Sequence, residues 1–301
     1  MAERERKKGH VLAALNARVL YVPSTKVASS TMRLLLAQAN DSHRPDMVPY
    51  IDGPTISVDQ SVHNLGVNGL VHMELLPQRR QAEMKNSPEW WRVAALRNPY
   101  ARLYSAWENR ILLRAPSPVR PEAWALCADV LHDGRIDIGE SFRRFVEVLE
   151  TRPDVFGPDS HFKSQAMHFD LTPLDLTHVV RLDVPGELAE FAAALGRRVG
   201  KELSPTRLNE GLGIGYRDVT DAATARSIER IFADDFERFG FVREDFPQRV
   251  DDVVTSVGES QVIRYARSLT VRLEQLSRLA RYRNGSRHLV SQTLRNFGLR
   301  R

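Results

Sequence analysis

A polar loop near the start of the chain carries the clearest candidates for chemistry. The segment Ser24–Thr31 reads Ser-Thr-Lys-Val-Ala-Ser-Ser-Thr, between a short apolar run and a helical pattern. The first N–H groups of a helix lack partners and attract anions. Lys26 adds a mobile charge, and Ser29, Ser30 and Thr31 add hydroxyl donors. We predict a phosphate-binding loop, although taken alone the segment is equally typical of a Ser/Thr-rich helix cap with a solvated lysine.

A second polar element lies far along the chain, in the segment Arg97-Asn-Pro-Tyr-Ala-Arg-Leu-Tyr-Ser-Ala. Arg97 ends an apolar run, and Ser105 lies about two turns into the helix that follows. A guanidinium and a hydroxyl in this arrangement could converge on a second phosphate. Alone, Arg97 fits a structural ion pair equally well, so the prediction depends on the two elements acting together.

A histidine between these elements is the leading candidate for a general base. His72 follows an irregular segment, and an imidazole titrates near neutral pH. Glu74 is two residues further on and would share a face with His72 if both lay on a strand. His161, close to Gln165, is a third candidate, which we assign to substrate binding. Each histidine is also compatible with a purely structural hydrogen bond.

Alternating apolar runs and helical patterns predict the scaffold that positions these residues. Residues 19–22, 91–96 and 178–182 are typical of buried strands, and residues 69–73 are a weaker candidate. Helical patterns follow at residues 32–39, 142–149, 187–199 and 222–239, and Asn98-Pro99 is a typical helix start. We therefore predict an α/β fold with three layers, in which helices flank a parallel sheet.

The two polar elements together resemble the donor-binding motifs of the carbohydrate sulfotransferases. Residues 22–31 resemble the loop that holds the 5′-phosphosulfate, and residues 97–106 resemble the motif for the 3′-phosphate. A weaker resemblance continues to about residue 242. It implies a P-loop-like sheet, the donor 3′-phosphoadenosine-5′-phosphosulfate (PAPS), the product PAP and a carbohydrate, glycolipid or other glycosylated acceptor. Members of the family need no metal for this chemistry.

The resemblance implies a role for each matched residue. The 5′ end of the donor would be held by the loop residues Lys26, Val27, Ala28, Ser29, Ser30 and Thr31. The 3′-phosphate would be bound by Arg97 and Ser105, whereas Arg102 matches the motif but is expected to face the fold. Arg207 and Asn209 lie in a segment similar to the late loop that closes over the donor.

The uronosyl type of these enzymes suggests how the acceptor is activated. His72 matches the position of their base, and Lys26 would neutralise the charge that grows on the departing phosphate. Glu74 stays an alternative, because some heparan-type relatives use a glutamate base. His161 and Gln165 would contact the acceptor.

Charge and composition bound the remaining possibilities. The chain has 301 residues and a net charge of +5. Ten arginines and four acidic residues follow position 250, so the excess charge belongs to the tail and argues against nucleic acid as a partner of the body. We predict a catalytic domain over residues 1–245 and a basic amphipathic helical extension over residues 246–301. The extension would pack on its own domain, form a homodimer or contact an anionic membrane.

Two further expectations concern location and metal. The start of the chain has no apolar core typical of a signal peptide, so we predict a cytoplasmic protein, with a composition typical of bacterial enzymes. The single cysteine and the spacing of the nine histidines give no metal-ligand pattern. The alternatives are a kinase-type phosphotransferase and a non-enzymatic adaptor that acts through the basic tail. The loop lacks the glycines of a Walker A motif, which disfavours the kinase.

Overall fold

The computed structural model describes residues 11–50, 61–115, 119–170, 174–206, 208 and 211–284. Its strands are β1 (Leu12–Ala14), β2 (Val19–Val22), β3 (Val71–His72), β4 (Trp91–Leu96), β5 (Val130–His132), β6 (Arg135–Asp137) and β7 (His178–Arg181). Five of them form one sheet in the order β3-β1-β2-β4-β7, and β5 and β6 form a separate hairpin. The strands β2, β4 and β7 are parallel neighbours, as expected for an α/β fold.

Helices connect and cover these strands. They are α1 (Ser29–Ala39), α2 (Leu65–Asn68), α3 (Gln78–Asn86), α4 (Pro99–Trp107), α5 (Pro121–Leu126), α6 (Ile138–Thr151), α7 (Gln165–Asp170), α8 (Glu187–Val199), α9 (Tyr216–Val219), α10 (Ala222–Ile231), α11 (Ala233–Phe239) and α12 (Val257–Asn284). A π-helical turn, Glu108–Leu112, continues α4. Asn98 caps α4 by accepting from the N–H of Tyr100, and Pro99 occupies the first turn, as the sequence predicts.

Two apolar clusters fill the space on either side of the sheet. On one side Tyr21 of β2 packs with Met32 and Leu36 of α1 and with Phe191 of α8. On the other side α4, α6 and α10 supply a larger cluster that includes Trp107, Phe142 and Ile228. The helix–sheet–helix arrangement confirms the predicted three-layer α/β fold.

The sheet differs from the prediction in its first strand. β1 was not expected, and it pairs antiparallel with both β2 and β3, so the sheet is mixed instead of wholly parallel. All three residues of β1 are buried. A strand of this length carries no periodicity that distinguishes it from a loop, which explains why the sequence did not predict it.

The helix predicted over residues 222–239 is interrupted. α10 ends at Ile231 and α11 begins at Ala233, because Phe232 leaves the helical conformation, with φ of −115° and ψ of 32°. The Phe232 side chain is almost fully buried in the larger cluster. The break therefore lies at a core residue, and the regular apolar spacing, which continues through it, does not reveal it.

The basic amphipathic helix predicted near the end of the chain is present as α12. Ile263 is buried in the larger cluster, and both Nη atoms of Arg267 bind the Asp129 carboxylate at 2.6 and 2.8 Å. Val262, Leu269 and Leu276 remain exposed. The boundary at residue 245 and the contact of this helix with a membrane or a second copy stay predictions.

Candidate active site

The loop between β2 and α1, which we call the cradle, has the backbone shape of an anion-binding loop although it contains no glycine. Lys26 and Ala28 adopt left-handed backbone angles, with φ of 62° and 52°. Alternation of this kind turns successive N–H groups inward, and such concave backbone binds anions. Among the described residues no side chain caps α1 at Ala28. This start leaves the first N–H groups of the helix without a side-chain partner, which favours the phosphate loop over an ordinary capped helix.

A buried arginine holds the cradle in shape. Arg102 is fully buried; its Nε donates to the Thr25 carbonyl at 2.9 Å and its Nη2 to Thr25 Oγ1 at 3.0 Å. Thr25 Oγ1 in turn donates to the carbonyl of Ser160 at 3.1 Å. Arg102 thus faces the fold, as expected, and ties the loop to α4 and to the segment that contains His161.

The remaining loop residues have different surroundings. Val27 is buried in the apolar cluster beside α1 and offers only its backbone to a ligand. Ser30 Oγ lies 2.8 Å from Nε2 of His63, and Thr31 Oγ1 donates to the Thr206 carbonyl at 3.0 Å. The chain just before Arg207 therefore reaches the first turn of α1. Arg207 and Asn209 themselves lie outside the described residues.

Arg97 meets the cradle at the carboxyl edge of the sheet. Its Nη1 donates to the carbonyl of Lys26 at 3.3 Å, across 71 residues of sequence. The two residues follow β2 and β4, which are adjacent parallel strands, so their loops emerge side by side. Ser105, the second residue that we predict to bind the 3′-phosphate, is half-buried on α4. The two predicted phosphate elements are therefore brought together.

The surroundings of Gln165 do not fit the predicted contact with an acceptor. It is fully buried; its Oε1 accepts from the N–H of Arg97 at 3.0 Å and its Nε2 donates to the Arg97 carbonyl at 2.9 Å. The buried Asp235 completes this support by accepting from the N–H groups of Gln165 and Ala166. Gln165 thus fixes the backbone of Arg97, and its burial argues against contact with an acceptor.

Two charged residues of the site escaped the sequence analysis because they lie beyond the motif, on the π-turn after α4. Glu108 is buried and accepts from the N–H of Leu212 at 2.7 Å. A Cβ at Gly211 would overlap the Glu108 carboxylate, so only glycine allows this approach. Arg110 Nη2 lies 3.0 Å from Nε2 of His161.

The positive charges in the site are close enough to perturb one another. Burial, together with the charges of Arg110 and Arg97, lowers the pKa of Lys26 to about 8, and Glu108 opposes this shift. Burial also lowers the pKa of the Arg97 guanidinium, again against Glu108. Loss of water around several cations is unfavourable unless an anion arrives. The arrangement is suited to bind a ligand with several negative charges.

His161 lies beside the cradle and is firmly held. Its Nδ1 is 2.6 Å from Oδ1 of the buried Asp159, which fixes the ring, while Nε2 faces Arg110. Burial lowers the pKa of His161 to about 4, although Asp159 raises it. His161 is therefore neutral at pH 7. His63, which sequence analysis missed within a long irregular segment, has Nε2 at 2.8 Å from Ser30 Oγ, and desolvation of its ring together with the charge of Arg33 lowers its pKa to about 4.

His72 and Glu74 do not share a strand face. β3 ends at His72, and Glu74 lies on a 3-10 turn, where it is exposed and its Oε1 accepts from the N–H of Val11 at 3.4 Å. The shared-face prediction is wrong because the strand is only two residues long. His72 Nδ1 is buried and hydrogen bonds to none of the described residues.

A protein-family model covers most of this chain. The model described as the sulfotransferase family matches residues 10–242, which include the cradle, Arg97, Ser105 and His72. The chain belongs to the sulfotransferase family. No curated protein and no solved structure matches it. The match ends before α12, so the basic helix lies outside the residues that this sulfotransferase shares with the family model.

Two further observations concern metal ions and membranes. In the described part of the chain, no three His, Cys, Asp or Glu side chains are grouped so as to hold a metal ion. Every helix in that part is too short or too polar to cross a lipid bilayer.

Proposed function

We propose that this sulfotransferase transfers the sulfuryl group of PAPS to a hydroxyl of a carbohydrate or glycoconjugate. The contact between Arg97 and Lys26 carries the proposal, since it joins two anion-binding loops into one site. PAPS has a phosphosulfate at its 5′ position and a separate phosphate at its 3′ position. Two adjacent cationic loops, one with Lys26 and one with Arg97, suit a donor with two separate anionic groups better than they suit ATP, which has a single polyphosphate chain.

The donor would bind to both cationic loops. The cradle N–H groups and the hydroxyl of Ser29 would receive the 5′-phosphosulfate, with Lys26 beside the bond that breaks. Arg97 and Ser105 would hold the 3′-phosphate, and the segment with Arg207 and Asn209 would cover the nucleotide. The negative charge of Glu108 stabilises the charged forms of Lys26 and Arg97 before the donor binds. Once the donor is bound, Glu108 would lie next to the phosphates.

Transfer by in-line displacement requires alignment, a base and charge neutralisation. The acceptor oxygen attacks sulfur as the bond from sulfur to the 5′-phosphate oxygen breaks, and the electron pair leaves with PAP. Lys26 would stabilise the charge on that leaving oxygen. His72 would take the acceptor proton through Nδ1, which hydrogen bonds to no described residue, and His161 would contact the acceptor. No step in this scheme calls for a metal ion.

Calorimetric titration of the full chain tests the choice of donor. We expect PAP to bind without metal and more tightly than ATP with Mg²⁺. Because the 3′-phosphate would lose its bidentate partner, Arg97→Ala should weaken PAP binding by about tenfold to a hundredfold, from the worth of hydrogen bonds to charged groups. Arg226→Ala, an exposed arginine on α10, serves as the control. A preference for ATP with Mg²⁺, or indifference to Arg97→Ala, would favour a kinase-type activity instead.

A further inference from the structure

The helix α12 carries a row of apolar side chains on a side that faces away from the domain. This row, which we call the α12 stripe, consists of Val262, Ala266, Leu269, Leu273 and Leu276. Ala266 is half-buried and the other four are exposed. Folded domains rarely leave a continuous apolar surface in water, and such surfaces commonly mark interaction sites. The stripe is therefore a candidate interface.

The spacing of the stripe is that of a coiled coil. Its members follow one another at intervals of four, three, four and three residues, which is a seven-residue repeat. In the heptad notation abcdefg, Val262, Leu269 and Leu276 take position d, and Ala266 and Leu273 take position a. Leucine at d is favoured in parallel coiled coils of two strands. The stripe therefore matches the seam along which a second helix would lie.

Contacts on another side of α12 hold the stripe outward. Ile263 is buried in the larger apolar cluster, Ser260 and Thr270 are also buried, and Arg267 binds the carboxylate of Asp129. At 3.6 residues per turn, the residues that face the domain lie about 110° round the helix from the stripe. A second helix can thus lie along the stripe without displacing these contacts.

The charges of α12 favour a second helix over a lipid surface. An interfacial helix needs its basic side chains close enough to its apolar face to reach the lipid headgroups. Arg264 and Arg278 lie about 140° and 180° round the helix from Leu269, on the far side. Of the arginine side chains that the structure describes on α12, Arg272 alone borders the stripe. Most of this positive charge would therefore point away from a membrane.

We propose that the α12 stripe pairs with the same stripe of a second copy of this chain, so that the sulfotransferase forms a dimer through a parallel coiled coil. In a parallel pair Arg272, at position g, would face the partner's Ser277, at position e, so like charges do not meet there. The antiparallel register that opposes Leu269 to the partner's Leu273 would instead bring Arg272 against the partner's Arg272. Charge therefore favours the parallel direction.

Such a dimer would also contact the surroundings of the candidate active site. Besides its bond to Asp129, Arg267 donates from Nε to the carbonyl of Leu112. Leu112 is the last residue of the π-turn that carries Glu108 and Arg110. Pairing of two α12 helices would therefore stabilise the helix against which this turn is held.

Sedimentation equilibrium of the full chain tests the proposal. Because a dimer forms by mass action, we expect the apparent mass to approach twice that of one chain as the concentration rises from about 1 to 100 µM. Leu269→Glu should raise the dissociation constant by about a hundredfold or more, since two carboxylates would face each other in an apolar layer. Val271→Glu is the matched control, because Val271 is 46% exposed, Leu269 is 45% exposed and the two lie on opposite sides of α12. It should change the constant by less than about threefold.

Several results would overturn the proposed pairing. A wild type that stays monomeric at every concentration would do so; binding of that monomer to vesicles of phosphatidylserine and phosphatidylcholine would then assign the stripe to lipid. A dimer that survives Leu269→Glu, or equal dissociation by Leu269→Glu and Val271→Glu, would place the interface elsewhere. If circular dichroism shows that Leu269→Glu does not fold, Leu276→Glu, also at an exposed d position, decides in the same way.

Cysteine cross-linking tests the parallel direction. In a parallel pair the two copies of residue 269 face each other, within the short distance that a disulfide requires. Oxidation should therefore link Leu269→Cys into covalent dimers on a non-reducing gel and leave Val271→Cys unlinked. The native Cys127 is buried and remains in both variants. Absence of the link in Leu269→Cys, or equal linking of both variants, would overturn the parallel arrangement.

Discussion

Two loops on the donor side of the site differ in how completely the protein satisfies their polar groups. Gln165 binds both the N–H and the carbonyl of Arg97, and Asp235 binds Gln165 in turn. In the loop after β2, Arg102 binds the carbonyl and Oγ1 of Thr25, but the buried Oγ of Ser24 hydrogen bonds to no described residue. The backbone of Arg97 is therefore held on both sides, whereas the loop after β2 keeps one buried hydroxyl unpaired among the described residues.

The largest expected effect separates binding from transfer. His72→Ala should reduce sulfuryl transfer by about a hundredfold, as the loss of a general base does, and leave PAP affinity unchanged within about twofold. Transfer is measured as PAP release from PAPS with a hydroxyl acceptor, and PAP affinity by calorimetry. Glu74→Gln is the competing variant and should keep its activity. Loss of activity in Glu74→Gln alone would move the role of base to Glu74, and full activity in both would point to another group such as His161.

A second prediction tests the preorganisation of the donor side. Asp235→Asn replaces a carboxylate that accepts from two backbone N–H groups and opposes the buried charge of Arg102. We expect the free energy of unfolding to fall by about 2–4 kcal/mol, measured by urea denaturation, and PAP binding to weaken with it. The exposed neighbour Asp234 provides a matched control in Asp234→Asn, which should change stability by less than about 0.5 kcal/mol. Equal effects of the two variants would contradict the role assigned to Asp235.

The smallest expected effect concerns pH. Because the pKa of Lys26 is lowered to about 8 in the free protein, Lys26 loses its proton as the pH rises through 8. Bound phosphates favour the charged form, so PAP affinity should fall above pH 8 by up to about tenfold per pH unit. Calorimetry at pH 8 in two buffers of different ionisation enthalpy should also detect proton uptake. Lys26→Arg keeps its charge and should abolish this dependence; persistence of the dependence in that variant would assign it to another group.

The sequence predicts the loops that carry Lys26 and Arg97 better than the residues that surround them, for a physical reason. Lys26 and Arg97 each follow an apolar strand and precede a helix, and both signals are local. Adjacent parallel strands then bring the two loops together. Glu108 and Arg110 depend on a π-turn, and Gln165 points inward because Asp235 lies behind it. Such placements follow from tertiary packing, which no local pattern records.

The same reasoning applies to the first strand. β1 is too short to show a periodicity, yet its pairing with β2 and β3 places Tyr21 and His72 on either side of Leu12. The break at Phe232 does not follow from the sequence either, since the apolar spacing continues through it. Local patterns therefore predict most of the elements, but the register between the strands does not follow from them.

The left-handed turn at Ala28 also limits which residues descendants of this protein can carry there. Glycine, asparagine and aspartate adopt such a φ with little strain, alanine tolerates it, and β-branched residues such as valine or isoleucine do not. Substitutions at position 28 are thus confined to a small set of residue types, none of them bulky. The cradle can persist through many generations without acquiring the glycines by which phosphate loops are usually recognised.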